Sequence, residues 1–514
     1  MMVDERVRNA QLWAAKMIEL DMAREAREEK ESVETVVRVS GEAEEGFFEA
    51  IVAGDQPAFL VYRDGEFMIF DKLHSAGVEI LPPKPALCPY LPYEYAEDPI
   101  DQVELAKEIF KVFDEFIDIE THVKKRWSTE VVLSYLQHKV ARVPYEYLLG
   151  LEESGKTQTL LIFAHLAYRP LFGTSIPAAD IYSYLDKHPY STILEDEIQG
   201  IARDPEKLKV YLSGYKTGAR IPRTTVLPNG ERRVDFFPCF GLKIVAARQS
   251  VDNPAFMERF IVTRMMTGYP VRDEFTPEDL DRFRNIRNRL LKLRLATMDQ
   301  DLPEVDLGVK GRLKELWKPL FQVAAIIGFE EDLKTGLREH YLEYRRRREE
   351  SVEAAIVKAW LRAAALRKTD TLSSEEVWSS LTTILEGQLD EKKGNLFHSS
   401  EYGDITKRLM GLRLSENLGA ERVWKSGRDE GKTGSVRAWQ IPPEKLARLA
   451  RKLVCEHIEE IKPHEKRFRC IYAEKAEQGV ACRNTICATE GQCRLVSIIT
   501  DLMPESPLLR EETI

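Results

Sequence analysis

Two things are scarce in this sequence of 514 residues: cysteine outside its last part, and any long uncharged apolar run. Only Cys88 and Cys239 precede Cys455, which excludes a disulfide-held framework over most of the chain. No stretch approaches the roughly 18 apolar residues that span a bilayer. The opening MMVDERVRNAQLW is charged throughout, so the expectation is a cytoplasmic protein without membrane contact. Positive charge is also in deficit, with 75 Lys and Arg against 85 Asp and Glu and a formal net charge of -10. That balance excludes a protein that coats nucleic acid over its whole surface; binding to phosphates requires a local basic patch. Hydrophobic residues make up 43% of the chain, enough for packed cores, and the length predicts roughly three or four domains.

Residues 1 to about 35 read as a polar helix, followed by alternating apolar and polar residues around Asp64-Gly65, the pattern of a hairpin. The Pro-rich stretch ILPPKPALCPYLPYEYAEDP then reads as a linker. Two helical patterns, VELAKEIFKVFDEFIDI and VVLSYLQHKV, lead to a strand at Tyr145 to Leu149. Further apolar strands are predicted at Ser191 to Leu194, Lys243 to Ala247 and Phe260 to Met265, alternating with helices as in a mostly parallel three-layer sheet. Beyond residue 275 the pattern is helical for about 90 residues. It includes Arg345 to Arg348, which with Glu349 and Glu350 read as a solvated helix face with internal ion pairs. From Leu372 to about Leu449, helical patterns precede RVWK and SVRAWQI, which together suggest a winged helix.

After the strand at Tyr145 to Leu149 comes GLEESGKT, residues 150–157, which fits a phosphate-binding loop between strand and helix. In such a loop successive backbone N–H groups and the helix start hold phosphates. Gly150, Ser154, Gly155, Lys156, Thr157 and Gln158 are the candidate ATP contacts: Lys156 for the β/γ-phosphates and Thr157 for Mg²⁺. Glu152 and Glu153 are expected to face water or a neighbouring subunit. Downstream, Asp196 is the candidate Mg²⁺ carboxylate and Glu197 the general base for water, with Glu195 a third acid that shifts the assignment by one residue.

Together GLEESGKT, TILEDE, LSGYKTGARIPR, KIVAARQS, NPAFMERFIVTRM and GRLKELWKPLFQVAAIIG resemble AAA+ ATPases. More narrowly they are similar to the superfamily 3-like helicase domains that accompany primases in phages, plasmids and archaeal mobile elements. The resemblance covers about residues 100 to 330 and implies an α/β fold with an AAA+ P-loop αβα core. The expected organisation is an N-terminal α+β domain over 1–98, the ATPase core over 99–275, a helical lid over 276–370, a winged-helix domain over 371–452 and a Cys-rich tail over 453–514. It also implies a homo-oligomeric ring, usually a hexamer, with ATP between subunits and Arg259 as the arginine finger. The sensor residue is Gln249, with Arg248 as the alternative, and a second sensor arginine is Arg284 or Arg287. The segment Lys216 to Lys243 carries six basic residues against Glu231 and Asp235 around a turn at Asn229-Gly230. In the family such a hairpin enters the ring's channel, making Lys216, Arg220, Arg223, Arg232 and Arg233 candidate contacts to single-stranded DNA.

Cys470, Cys482, Cys487 and Cys493, with Cys455, His457 and His464 upstream, form a candidate site for Zn²⁺ or an iron–sulfur cluster. The expected function is thus an ATP-driven helicase or translocase in replication of a mobile element or virus-like replicon, with any primase or polymerase partner a separate chain. The alternative is an AAA+ switch, an initiator, loader or defence protein that binds DNA without processive unwinding.

Overall fold

A computed structural model describes residues 34–482 except 89, 199, 227–229, 350, 368, 386, 391–394, 400–402, 430–431, 455–457, 463–466, 471–472 and 477–478. The polar helix read before residue 34, the turn residue Asn229, and Cys455, His457, His464, Cys487 and Cys493 lie outside the described residues. The chain divides into two compact units, residues 1–339 and 340–514.

The first unit begins with seven strands: β1 (Thr35–Val37), β2 (Ser40–Ala43), β3 (Gly46–Ala53), β4 (Gln56–Arg63), β5 (Glu66–Phe70), β6 (Leu73–Ser75) and β7 (Val78–Leu81). β2 to β5 form an antiparallel meander, while β1, β7 and β6 make a second small sheet. The expected hairpin is present, with Asp64 and Gly65 both at positive φ, as a two-residue turn between twisted strands requires. Phe48, Phe59, Val61, Leu73 and Ile80 fill the space between the two sheets.

The Pro-rich stretch is not a free linker. It lies along a helix of the core: the Glu94 N–H donates to Asn288 Oδ1 at 3.0 Å, Arg287 Nη2 donates to the Pro92 carbonyl at 2.7 Å, and Lys292 Nζ donates to the Ala96 carbonyl at 2.7 Å. A buried ion cluster completes this attachment. Glu49, on β3, is paired with Arg169 and with Arg294, whose Nε lies 2.6 Å from its Oε1, and it accepts from the Tyr168 hydroxyl at 3.0 Å.

The core elements are α1 (Gln102–Phe116), α2 (Thr121–Leu136), β8 (Tyr145–Leu149), α3 (Lys156–Leu166), β9 (Leu171–Thr174), α4 (Ala178–Lys187), β10 (Ile193–Asp196) and α5 (Pro205–Ser213). The hairpin β11 (Arg220–Val226) and β12 (Arg232–Pro238) follows, then β13 (Lys243–Ala247), α6 (Pro254–Met257), β14 (Phe260–Arg264) and α7 (Pro277–Ala296). Five strands form one all-parallel sheet in the order β14-β8-β13-β10-β9. β13 is buried at every position, the signature of a strand covered on both faces. The second expected strand runs further than its sequence suggests, through Glu195 to Asp196, and β9 is an addition at the sheet edge.

Helices then dominate as expected: α8 (Gly311–Ile327), α9 (Glu330–Glu349) and α10 (Val352–Arg367). Arg347 pairs with Glu343 at 2.8 Å along α9, an (i, i+4) pair on a helix face. In the second unit come β15 (Thr371–Ser373), α11 (Ser374–Ile384), β16 (Gly387–Leu389), β17 (Leu396–Ser399), β18 (Gly403–Thr406), α12 (Lys407–Leu412), β19 (Glu421–Asp429), β20 (Lys432–Gln440) and α13 (Pro443–Leu453). β15 joins the β19–β20 hairpin as a three-stranded sheet, and β16, β17 and β18 form another that the sequence reading lacks. Trp360, Trp378, Trp439 and Met410 share this unit's core. Cys470 and Cys482 fall in short strands near its end.

Candidate functional site

Parallel strands place all their carboxyl ends on one edge of the sheet, where α/β folds gather their chemistry. β8 delivers the loop 150–155, β10 delivers Asp196 and Glu197, and β13, lying between them, delivers Arg248.

The loop is shaped by two glycines. A Cβ at Gly150 would stand 2.5 Å from the Met265 carbonyl oxygen, and Gly155 has φ of 81° where α3 begins. Glu153 also takes a left-handed conformation, φ 59°. Ser154 Oγ donates to the Leu151 carbonyl at 2.8 Å, and Lys156 Nζ folds back onto that carbonyl and Ser154 Oγ. Gln158 Nε2 donates to the Asp273 carbonyl at 3.2 Å, tying α3 to the segment after β14.

Thr157 Oγ1 donates to Asp196 Oδ2 at 2.9 Å, so the loop's hydroxyl and the strand's carboxylate meet. The Glu197 N–H donates to Asp196 Oδ1 at 3.0 Å, and Glu197 is held at φ 55° with its side chain exposed. Glu195 drops out of the candidate acids because the pleat turns it to the opposite side. There it is buried, paired with Lys207 and accepting from the Tyr211 hydroxyl at 2.7 Å. Burial raises its carboxyl above the usual range, against the lowering effect of Lys207.

The two loop glutamates do not both point away. Glu152 Oε1 lies 2.5 Å from Arg248 Nη1, and the same guanidinium reaches Glu197 Oε1 at 3.5 Å. Glu152 therefore finds its arginine within its own chain. Of the two sensor candidates, Arg248 is the one brought against the acids; the Gln249 carbonyl accepts from the Tyr147 hydroxyl at 2.8 Å. Burial lowers the Lys156 ammonium from its ordinary value, reinforced by Arg248 and opposed by Asp196, Glu152 and Glu197.

Other candidates lie elsewhere. Arg259 precedes β14, at the opposite end of the sheet from its own phosphate loop. Its Nε donates to the Leu212 carbonyl at 2.9 Å and its guanidinium stacks on Tyr215, a ring that also carries Arg312. Burial, with Arg312 beside it, lowers its pKa from the ordinary value. Arg284 pairs with Asp281 on the surface, and Arg287 is buried over Tyr93.

The hairpin β11–β12 stands between the acid strand and β13 in sequence. Its odd-numbered face is anchored: Phe237 packs on Tyr182, and Arg223 forks onto Glu206 with two contacts of 2.5 Å. The even-numbered face is open, with Val226, Val234 and Phe236 each at least half exposed. Arg220, Arg232 and Lys216 are exposed, while Arg233 pairs with Asp235 at 2.9 Å. Lys243, counted with the hairpin's positive charge, does not belong to that surface. It is fully buried, with Nζ donating to Tyr145 Oη at 3.1 Å and to the carbonyls of Cys239 and Gly241. The exposed aromatic was legible as alternation in RRVDFF, where Phe236 shares a face with Val234.

Among the described residues no three His, Cys, Asp or Glu side chains gather as a metal site, and no helix is long and apolar enough to cross a membrane.

No protein-family model and no curated protein matches the chain. Among solved structures it is similar to the apo C-terminal region of NrS-1, with 9% identity over 77% of this chain and 96% of that one and a TM-score of 0.34. It is similar also to Cch of SCCmec type IV, described as an active helicase, with 10% identity over 79% of each chain and a TM-score of 0.35. A full-length MCM homolog from Methanopyrus kandleri shares 13% identity over 58% of this chain and 74% of that one, with a TM-score of 0.33. At identities of 9–13% and scores of 0.33–0.35, these likenesses carry no conclusion about what this chain does. The geometry itself defines a parallel α/β fold with a glycine loop between strand and helix, as in phosphate-loop proteins.

Proposed function

We propose that this chain is an ATP-hydrolysing motor that moves along or unwinds DNA, working as a homo-oligomeric ring of the AAA+ kind, usually hexameric, in replication of a mobile element. The observation that carries the reading is the meeting of Thr157 Oγ1 with Asp196 Oδ2 at 2.9 Å, with Glu197 next in the chain. A hydroxyl and a carboxylate side by side are hard oxygen donors suited to Mg²⁺, so Thr157 and Asp196 fit that ion as its protein ligands. Bound there, Mg²⁺ supplies charge neutralisation for the phosphates.

The chain's own residues do the rest. The N–H groups of the loop and the start of α3 bind phosphate oxygens, and Lys156 turns from the Leu151 carbonyl to the β/γ-phosphates. Glu197 accepts a proton from the attacking water, whose oxygen bonds to the γ-phosphorus as the bond to the bridging oxygen breaks and ADP leaves. Arg259 is too far round the sheet to serve its own site and reaches the site of a neighbouring subunit. Lys216, Arg220, Arg232 and Arg233 follow a single strand's phosphates, while Arg223, forked onto Glu206, anchors the hairpin, and Phe236 offers a surface on which a base stacks. The β15, β19 and β20 sheet with α10, α11 and α12 is proposed as a winged helix that engages DNA, and the C-terminal cysteines as a Zn²⁺ site.

The test is ATP hydrolysis with and without single-stranded DNA, together with unwinding of a forked substrate. We expect single strands to stimulate turnover, Glu197→Gln to bind ATP with turnover reduced by about 10²-fold or more, and Arg232→Glu with Arg233→Glu to remove stimulation while basal turnover stays. Stimulation by duplex alone without unwinding would replace the motor with an ATP-dependent switch. Absence of ATP binding would overturn both.

A further inference from the structure

The phosphate site contains its own competing anion. β13 lies between the strand that leads into the loop and the strand that ends in the acids, so its terminal Arg248 occupies the middle of the crevice. There its guanidinium contacts Glu152 of the loop at 2.5 Å and the candidate general base Glu197 at 3.5 Å. Asp196 and Lys156 complete the group, three carboxylates against two cations. Both arginine contacts are well exposed: the side chains are 47% exposed for Arg248, 72% for Glu152 and 51% for Glu197. Exposed pairs of this kind are weak and exchange readily. A guanidinium prefers a phosphate that it can grip with two N–H groups and that carries more charge than one carboxylate.

We propose that Glu152 is a built-in competitor of a nucleotide's terminal phosphate for Arg248, and that it holds this guanidinium when no third phosphate is present. This rests on the reading of the loop as a nucleotide site. The loop holds the inner phosphates, Lys156 reaches the β/γ-phosphates, and the terminal phosphate extends toward the strand ends. It takes Arg248 from Glu152 and, in doing so, withdraws the guanidinium from Glu197. Glu152 thus weakens triphosphate binding modestly.

Equilibrium titration of fluorescent ATP and ADP analogues with Mg²⁺, on the full chain, tests this with Glu152→Gln, Arg248→Gln and the double variant. Glu152→Gln is expected to tighten triphosphate binding about two- to fivefold, the worth of one exposed ion pair, and diphosphate binding by less than about twofold. Arg248→Gln should weaken triphosphate binding about tenfold or more and bring the two nucleotides close together. Arg248→Lys, which keeps the charge but not the fork, should fall between. In the Arg248→Gln background the effect of Glu152→Gln should vanish. Equal tightening of both nucleotides by Glu152→Gln, or the same effect with and without Arg248, would overturn the proposal and leave the loop as a nucleotide site. If the wild-type chain binds neither nucleotide in a way that Lys156→Ala abolishes, the nucleotide reading falls and this inference with it.

Discussion

Glu49 stands between two arginines and Arg248 between two glutamates, yet the two clusters do opposite work. Glu49, Arg169 and Arg294 are all buried, and the Tyr168 hydroxyl supplies a further donor to the carboxylate. Their charges have no water to turn to, so the pairing is fixed and holds β3 of the N-terminal sheet against the end of α3 and against α7. Arg248, Glu152 and Glu197 have water on one side and an open crevice on the other, so the same chemistry gives a contact that a ligand replaces. Solvent access, more than distance, separates a rivet from a latch.

The strongest way to break the comparison is Glu49→Ala. It leaves Arg169 and Arg294 buried side by side without a counter-charge, and we expect a loss of about 3–5 kcal/mol, measured by urea unfolding. High salt should not restore it, because ions do not reach the cluster. A cost below about 1 kcal/mol would place the buried cluster in the same class as an exposed pair.

Lys243 sharpens the comparison from a third position, a buried cation with no carboxylate beside it among the described residues. Burial pushes its ammonium down to about 7 from an ordinary 10.5, and only Cys239 opposes the shift. The folded chain therefore releases a proton near pH 7 that the unfolded chain keeps to about pH 10.5. The unfolded state binds more protons in that window, so stability should rise with pH from about 7 toward 10.5, and this group should add no slope below about 7. Lys243→Met should remove the slope. At pH 7 it should stay within about 1 kcal/mol of wild type, since relief of a buried charge opposes the loss of three acceptors' partner. The check is the denaturant midpoint as a function of pH; an unchanged slope would mean that Lys243 is solvated in the fold.

Much of the crevice was legible because its signals are contiguous. GLEESGKT needs only its spacing, and KIVAA reads as a doubly covered strand because every residue in it is apolar or, like Lys243, able to bury its stem. β9 was missed because it is a four-residue edge strand with Gly173 inside it. The choice between Arg248 and Gln249, and the exclusion of Glu195, depend on pleat and strand order, which no local pattern specifies. The Glu49 cluster joins residues 120 and 245 positions apart, and its one sequence trace is an acid in the middle of the apolar strand GFFEAIVA. An acid at such a position signals a buried partner without naming it.

The smallest expected effect is also the most discriminating. In the absence of nucleotide, Glu152→Gln and Arg248→Gln should each change the stability of the chain by less than about 0.5 kcal/mol, the range of exposed pairs and ordinary surface substitutions. What little is lost should disappear in high salt, which screens charges that water already reaches. Urea midpoints at low and high salt measure both. If either substitution costs as much as Glu49→Ala, Arg248 is clamped rather than exchangeable, and a terminal phosphate then has to overcome several kcal/mol before it gains the guanidinium. A latch at the phosphate site requires that its closed state be nearly free of consequence for folding, because only then does the ligand's third phosphate decide where Arg248 goes.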